Sequence, residues 1–189
     1  MDKDKIERAV RELLAGIGDD PDREGLVDTP RRVADMFEEM IGAEPEDLSS
    51  IVVAMPADRH QEMVLVRDIY FHSLCEHHLL PFFGVAHVAY IPSKHGKITG
   101  LSKVVRLVRS AAASLQLQER LTTTIADTLV DALEPAGVMV LVKAEHLCMT
   151  MRGVRSPGSQ VITSAVRGVF RTSEATRSEV LALVDGRGS

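Results

Sequence analysis

No run of about 18 apolar residues, the least that a membrane-crossing helix needs, occurs in this chain of 189 residues, so a membrane span and a membrane partner are excluded. An apolar leader is missing as well: Met1 to Lys5 alternates charges and passes straight into an amphipathic pattern, which points to a soluble, cytoplasmic protein. Positive charge is not in excess. The 22 Lys and Arg against 27 Asp and Glu leave a formal net charge of −5, which argues against a nucleic-acid partner and requires any anionic ligand to meet a local basic cluster. Low-complexity tracts and repeats at solenoid periods are absent too. What is present is a hydrophobic content of 45%, enough for one substantial core with a small accessory segment.

Cysteine is scarce, and both copies sit beside histidine: Cys75 in Cys75-Glu76-His77-His78, and Cys148 in His146-Leu147-Cys148. Thiolate and imidazole together are the donors that a borderline-soft ion such as Zn²⁺ prefers. Cys75 and His78 share one tight turn and can clamp a single ion, while Glu76 and His77 point elsewhere. Cys148 lies far down the chain, so the fold must bring it in. Three such ligands leave a fourth position open, as in a catalytic zinc site. Other readings stay open at this point: a disulfide, which the lack of a leader disfavours, two inert core thiols, or a structural zinc completed by His77 or His146.

Ile6, Val10, Leu13, Leu14 and Ile17 recur at helical spacing, and Gly16 and Gly18 punctuate the end. Thr29-Pro30 is expected to supply an N-cap and a first-turn proline for a helix with Val33, Met36, Phe37, Met40 and Ile41 on its apolar face, closed by Gly42. Glu44 to Glu62, with Pro45 and Pro56, reads as a linker. The expected organisation is an N-terminal helical segment and linker over 1–55 and a main domain over 56–189. In the latter, Met63 to His72 and Val85 to Ile91 are strand-like, joined through the Cys-Glu-His-His turn. Lys94-His95-Gly96 reads as a further turn. Two helices follow, with apolar stripes Leu101 to Leu115 and Leu121 to Leu133, the second ended by Pro135 and Gly137. Val138 to Ala144 and Val161 to Phe170 read as strands, and Ser173 as the cap of a last helix reaching about Val184. The order strand, strand, helix, helix, strand, strand is an α+β domain with both helices on one sheet face. Its sheet edges stay open, which predicts a homo-oligomer.

Three further segments could carry chemistry. Gly100-Leu101-Ser102-Lys103 opens a helix with free N–H groups and a lysine of the kind that cradle phosphate, and Arg106 stands one turn on. Gln118-Glu119 pairs an amide with a carboxylate able to accept two N–H bonds from a guanine edge. Arg152-Gly153-Val154-Arg155, just past Cys148, could bring a guanidinium near the ion. A solvated charged face, a helix-start acid and surface ion pairs are the plain alternatives.

Four segments together carry a resemblance: Ser73-Leu74-Cys75-Glu76-His77-His78-Leu79-Leu80-Pro81-Phe82, Gly100-Leu101-Ser102-Lys103, Gln116-Leu117-Gln118-Glu119-Arg120-Leu121-Thr122, and His146-Leu147-Cys148-Met149-Thr150-Met151-Arg152-Gly153. In this order they resemble the signature segments of the GTP cyclohydrolase I family. The likeness runs from Thr29-Pro30-Arg31-Arg32-Val33-Ala34 to Thr176-Arg177-Ser178-Glu179, most of the chain. It implies the tunnelling fold, with subunits closing into barrels as a decamer of two pentamers. It also implies Zn²⁺ held by Cys75, His78 and Cys148, and conversion of GTP and water to formate and 7,8-dihydroneopterin triphosphate, the entry to folate or tetrahydropterin synthesis. On this resemblance the ion would activate water for attack at C8 of the guanine. His146, assisted by His77, would move protons, and Ser102 would lie near the ribose. Glu119 with Gln118 would hold the base edge, and Lys103, Arg106, Arg152 and Arg32 the triphosphate. One position departs from the family: Ser114 stands where an arginine is usual. A noncatalytic zinc-stabilised module of the same fold would need neither Glu119 nor His146. A pterin-binding synthase of similar fold is expected to bind zinc mainly through histidines.

Overall fold

The computed structural model describes residues 1–42, 47–57, 60–94 and 96–186. Pro45 of the expected linker and His95 of the expected turn lie outside the described residues. The chain divides into two compact units, Met1–Glu44 and Pro45–Ser189.

The first unit is a helix pair. Helix α1, Lys3–Gly16, starts where the Asp2 side chain accepts the Lys5 N–H, satisfying one of the donors that a helix start leaves orphaned. Helix α2, Thr29–Ile41, places Pro30 in its first turn as expected, but its cap is Asp28 rather than Thr29. Thr29 has already joined the helix, and Asp28 instead receives the Arg32 guanidinium at 3.1 Å. Lys3 ties the two helices together through Asp35 at 3.0 Å and Glu38 at 2.5 Å. Of the apolar stripe on α1, Ile6, Val10 and Leu14 are half-buried while Leu13 and Ile17 stay exposed.

The second unit opens with two short elements inside the segment read as linker, α3 (Leu48–Ile51) and β1 (Ala54–Pro56). They form because Ile51, Val52 and Ala57 bury their side chains and because β1 pairs antiparallel with β4 (Lys97–Thr99), aligning Ala54 with Thr99. The main sheet comprises β2 (Val64–Cys75), β3 (Pro81–Ile91), β5 (Leu115–Gln116), β6 (Gly137–His146) and β7 (Val161–Gly168), in the order β5-β2-β3-β6-β7. β2, β3, β6 and β7 run antiparallel in turn, and the two residues of β5 run parallel to the end of β2.

Side chains of period two sort onto the two faces. Ala86, Val88 and Tyr90 of β3, with Val138, Val140, Val142 and Ala144 of β6, enter a core against α4 (Leu101–Ala112) and α5 (Gln118–Leu133). The alternate positions Ala89, Ile91 and Met139 meet Phe170 and Val180 from α7 (Val169–Thr172) and α8 (Glu174–Val184). Expectation and structure agree on the six-element order and on both helices covering one face.

Two departures have local causes. The last strand stops at Gly168, whose φ of +57° belongs to the left-handed region and where a Cβ would collide with the Ala136 carbonyl oxygen, so the chain turns into α7 instead of continuing to Phe170. β2 carries a bulge between Val66 and Ile69, with Asp68 at φ +59°. Ser173 caps α8 by accepting the Thr176 N–H at 3.2 Å, as its position suggests.

Candidate active site

Strand register brings the distant segments to one end of the sheet. Leu74 faces Pro81 across β2 and β3, and Phe82 faces His146 across β3 and β6, so the turn after β2 and the end of β6 become neighbours. The turn is tight: Cys75 N–H donates to Leu80 C=O at 2.9 Å, Leu79 N–H donates back to Cys75 C=O at 2.8 Å, and Leu79 takes φ +55°. It leaves Cys75 buried and His78 exposed. Beyond β6 the chain enters α6 (Leu147–Thr150), a single turn carrying half-buried Cys148.

One ligand atom from each of Cys75, His78 and Cys148 lies within 4.8 Å of the others, a group able to hold a metal ion. The electrostatics fit that use. The Cys148 thiol has its pKa raised, first by burial and next by the adjacent Cys75 sulfur, with the Arg152 charge pulling the other way. Two crowded thiols resist ionising together, and a bound dication removes that penalty by accepting both as thiolates. The Arg152 Nη1 donates to His78 Nε2 at 3.1 Å, because a guanidinium has no lone pair to offer. That bond occupies the Nε2 lone pair, so an ion held at Nε2 would require the arginine N–H to withdraw.

Glu76 is spoken for. It pairs with Arg120 at 2.5 Å, and Arg120 also donates to Gln116 Oε1 at 2.8 Å and to the Leu115 carbonyl at 2.8 Å. Gln116 reaches this place because β5 aligns it with Cys75. This brace of Glu76, Gln116 and Arg120 was not expected from the sequence, although all three lie inside the quoted segments. His77 is exposed, its ring 6.3 Å from that of His78 and nearly perpendicular to it.

His146 ends β6, stacked on Phe82 with ring centroids 4.6 Å apart and planes 7° apart. Its Nε2 lies 2.7 Å from Gln118 Oε1. Burial lowers its pKa, with the Glu119 carboxylate acting in opposition, so the imidazole favours the neutral form. Gln118 is only 2% exposed and both ends of its amide are engaged within the chain, whereas Glu119 beside it is exposed.

Ser102, Lys103 and Arg106 fall on the first two turns of α4, with Ser102 and Arg106 exposed and Lys103 half-buried. Arg32 belongs to the N-terminal unit. Ser114, the departure from the family pattern, is exposed, and its carbonyl accepts the Ser73 hydroxyl at 3.2 Å. Phe82 and Thr163 are contributors that sequence reasoning missed, since both act through strand pairing.

Comparison with known proteins matches residues 6–185 to the model of the family described as GTP cyclohydrolase I. Among curated relatives, the GTP cyclohydrolase 1 of Caldanaerobacter subterraneus is 56% identical over 187 residues, 99% of each chain. That of Carboxydothermus hydrogenoformans is 59% identical over 184 residues, 97% of this chain and 95% of that protein. The Bacillus subtilis protein of the same name is 57% identical over 181 residues, 96% of this chain and 95% of that one.

Proposed function

The chain belongs to the GTP cyclohydrolase I family, and from that premise we propose that it is a zinc-dependent enzyme converting GTP and water to formate and 7,8-dihydroneopterin triphosphate. The single observation that carries the reading is the convergence of Cys75, His78 and Cys148 beside His146. Zn²⁺, held by those three residues with one position left for water, would supply the Lewis acidity that makes water a nucleophile near neutral pH.

The chain's own residues do the rest. One hydrolysis opens the five-membered ring at C8 and a second releases C8 as formate. Closure of the exposed amine onto the rearranged ribose then returns one water, leaving a net consumption of one. His146, kept neutral by burial, takes and returns protons at the ring nitrogens, with exposed His77 assisting. Glu119, exposed beside buried Gln118, accepts from the N1–H and 2-amino group of guanine. A base lacking those donors forgoes the paired N–H contacts to the carboxylate, which favours guanine once bound substrate excludes water from it. Ser102 approaches the ribose. Lys103, Arg106 and Arg152 hold the triphosphate, with Arg32 supplied by the N-terminal part or by another subunit. Arg152 has the reach for this, being already at the His78 imidazole.

Residues 56–189 carry the catalytic domain in this proposal, and 1–55 the accessory helical segment. Assembly is a homodecamer of two pentamers. The exposed apolar side chains Tyr70, Phe83 and Ile162, and a two-residue strand at one sheet edge, support burial against further copies. The setting is the cytoplasm and the product feeds folate or tetrahydropterin synthesis.

Incubation of purified, zinc-loaded protein with GTP tests the reading. Formate release together with a pterin that becomes fluorescent after oxidation is the expected result. Full zinc occupancy with neither product would leave a noncatalytic nucleotide- or pterin-binding module in its place.

A further inference from the structure

A carboxamide has one accepting end and one donating end, and the surroundings of Gln118 decide which is which. One terminal atom of its side chain lies 3.1 Å from Val142 O and 3.0 Å from Val161 O. Carbonyl oxygens cannot donate, so that atom is the NH₂ nitrogen. The same nitrogen is 3.1 Å from Thr163 Oγ1. The polarity of that contact is settled one residue further on. Thr122 Oγ1 donates to the Gln118 backbone carbonyl at 2.7 Å, so across the 2.6 Å gap between the two hydroxyls Thr163 is the donor and Thr122 the acceptor. Thr163 therefore presents an acceptor to the Gln118 amide, whose two hydrogens are shared among Val142 O, Val161 O and Thr163 Oγ1.

The other end of the amide, Oε1, then faces His146 Nε2 at 2.7 Å and can only accept. In the neutral imidazole the proton must sit on Nε2 and the lone pair on Nδ1. Stacking on Phe82 holds the ring plane. We propose that Gln118 is a positioning residue: anchored by β6, β7 and Thr163, it holds His146 as the Nε2–H tautomer and so makes Nδ1 the nitrogen offered to substrate, leaving the guanine edge to Glu119. The catalytic consequence rests on the cyclohydrolase reading, whereas the tautomer does not.

Two measurements on the full chain decide it. In protein labelled with ¹⁵N at histidine, with the His146 signals assigned by their loss in His146→Asn, long-range ¹H–¹⁵N correlation is expected to show a protonated Nε2 and an unprotonated Nδ1. Gln118→Leu should mix the two tautomers. In turnover of GTP, Gln118→Leu should lower kcat at least about tenfold, a fraction of what general acid–base catalysis supplies, and leave KM within about twofold. Thr163→Val, which keeps the side-chain shape, should shift both readouts in the same direction, and Thr163→Ser should restore them. Should Gln118→Leu fail to fold, the Thr163 pair carries the test. A wild-type Nδ1–H tautomer overturns the proposal, as does a Gln118→Leu variant that raises KM with kcat and tautomer unchanged. A wild-type chain that turns over no GTP sinks the cyclohydrolase reading while the tautomer measurement still decides this one.

Discussion

At the residue scale the two cysteines and one buried histidine make separable statements. Cys148→Ser removes a soft donor from a three-ligand group, and the expected outcome is loss of zinc stoichiometry, checked by elemental analysis after gel filtration. His87 is 3% exposed and faces the bulge in β2, where its Nδ1 accepts the Asp68 N–H at 3.2 Å and its Nε2 has no partner among the described residues. Its pKa is lowered, first by burial; Asp68 and Asp185 oppose the shift, and Lys143 and Arg67 reinforce it. The unfolded chain thus binds a proton at a pH where the folded one does not. Stability from this site is complete above the ordinary histidine pKa of 6.5 and declines as pH falls from there toward the lower folded value. Replacing His87 with Asn keeps an acceptor for Asp68, and is expected to flatten the fall in melting temperature between roughly pH 7 and 5, read by calorimetry across that range.

At the element scale the strand ends hold more information than their interiors. Gly168→Ala would place a Cβ against the Ala136 carbonyl at a left-handed φ, and should cost on the order of 1–3 kcal/mol in urea unfolding. Interiors were readable: the β-branched and apolar runs Val85 to Ile91 and Val138 to Ala144, buried on both faces, and the stripe from Val104 to Ala112, buried on one, announce their elements. The short pieces were not. α3 and β1 exist through pairing with β4 and burial of Ile51, contacts that no local window contains. The same holds for the site. Cys75, His78 and Cys148 could be picked out by donor chemistry, but the bonds around Gln118 come from β6 and β7 and become visible only once those strands are side by side. The cap at Asp28 was missed by one residue because Thr29 is itself a good capping residue, and the backbone decides between neighbours.

On the scale of the whole molecule, metal and fold should be linked. An ion bound to the native chain alone adds about 2.7 kcal/mol when present at 100 times its dissociation constant. Chelation is therefore expected to lower the melting temperature of the wild-type chain and leave Cys148→Ser unmoved, measured by thermal denaturation with and without chelator. The ligands come from the two ends of a long stretch: Cys75 closes β2, and Cys148 arrives only after β3, both core helices and β6. During synthesis the ribosome must release nearly the whole catalytic unit before all three donors exist in one place. On the zinc reading, a chain that ends before Leu147 lacks the Cys148 donor as well as β7, so the complete three-donor group is available only late in synthesis.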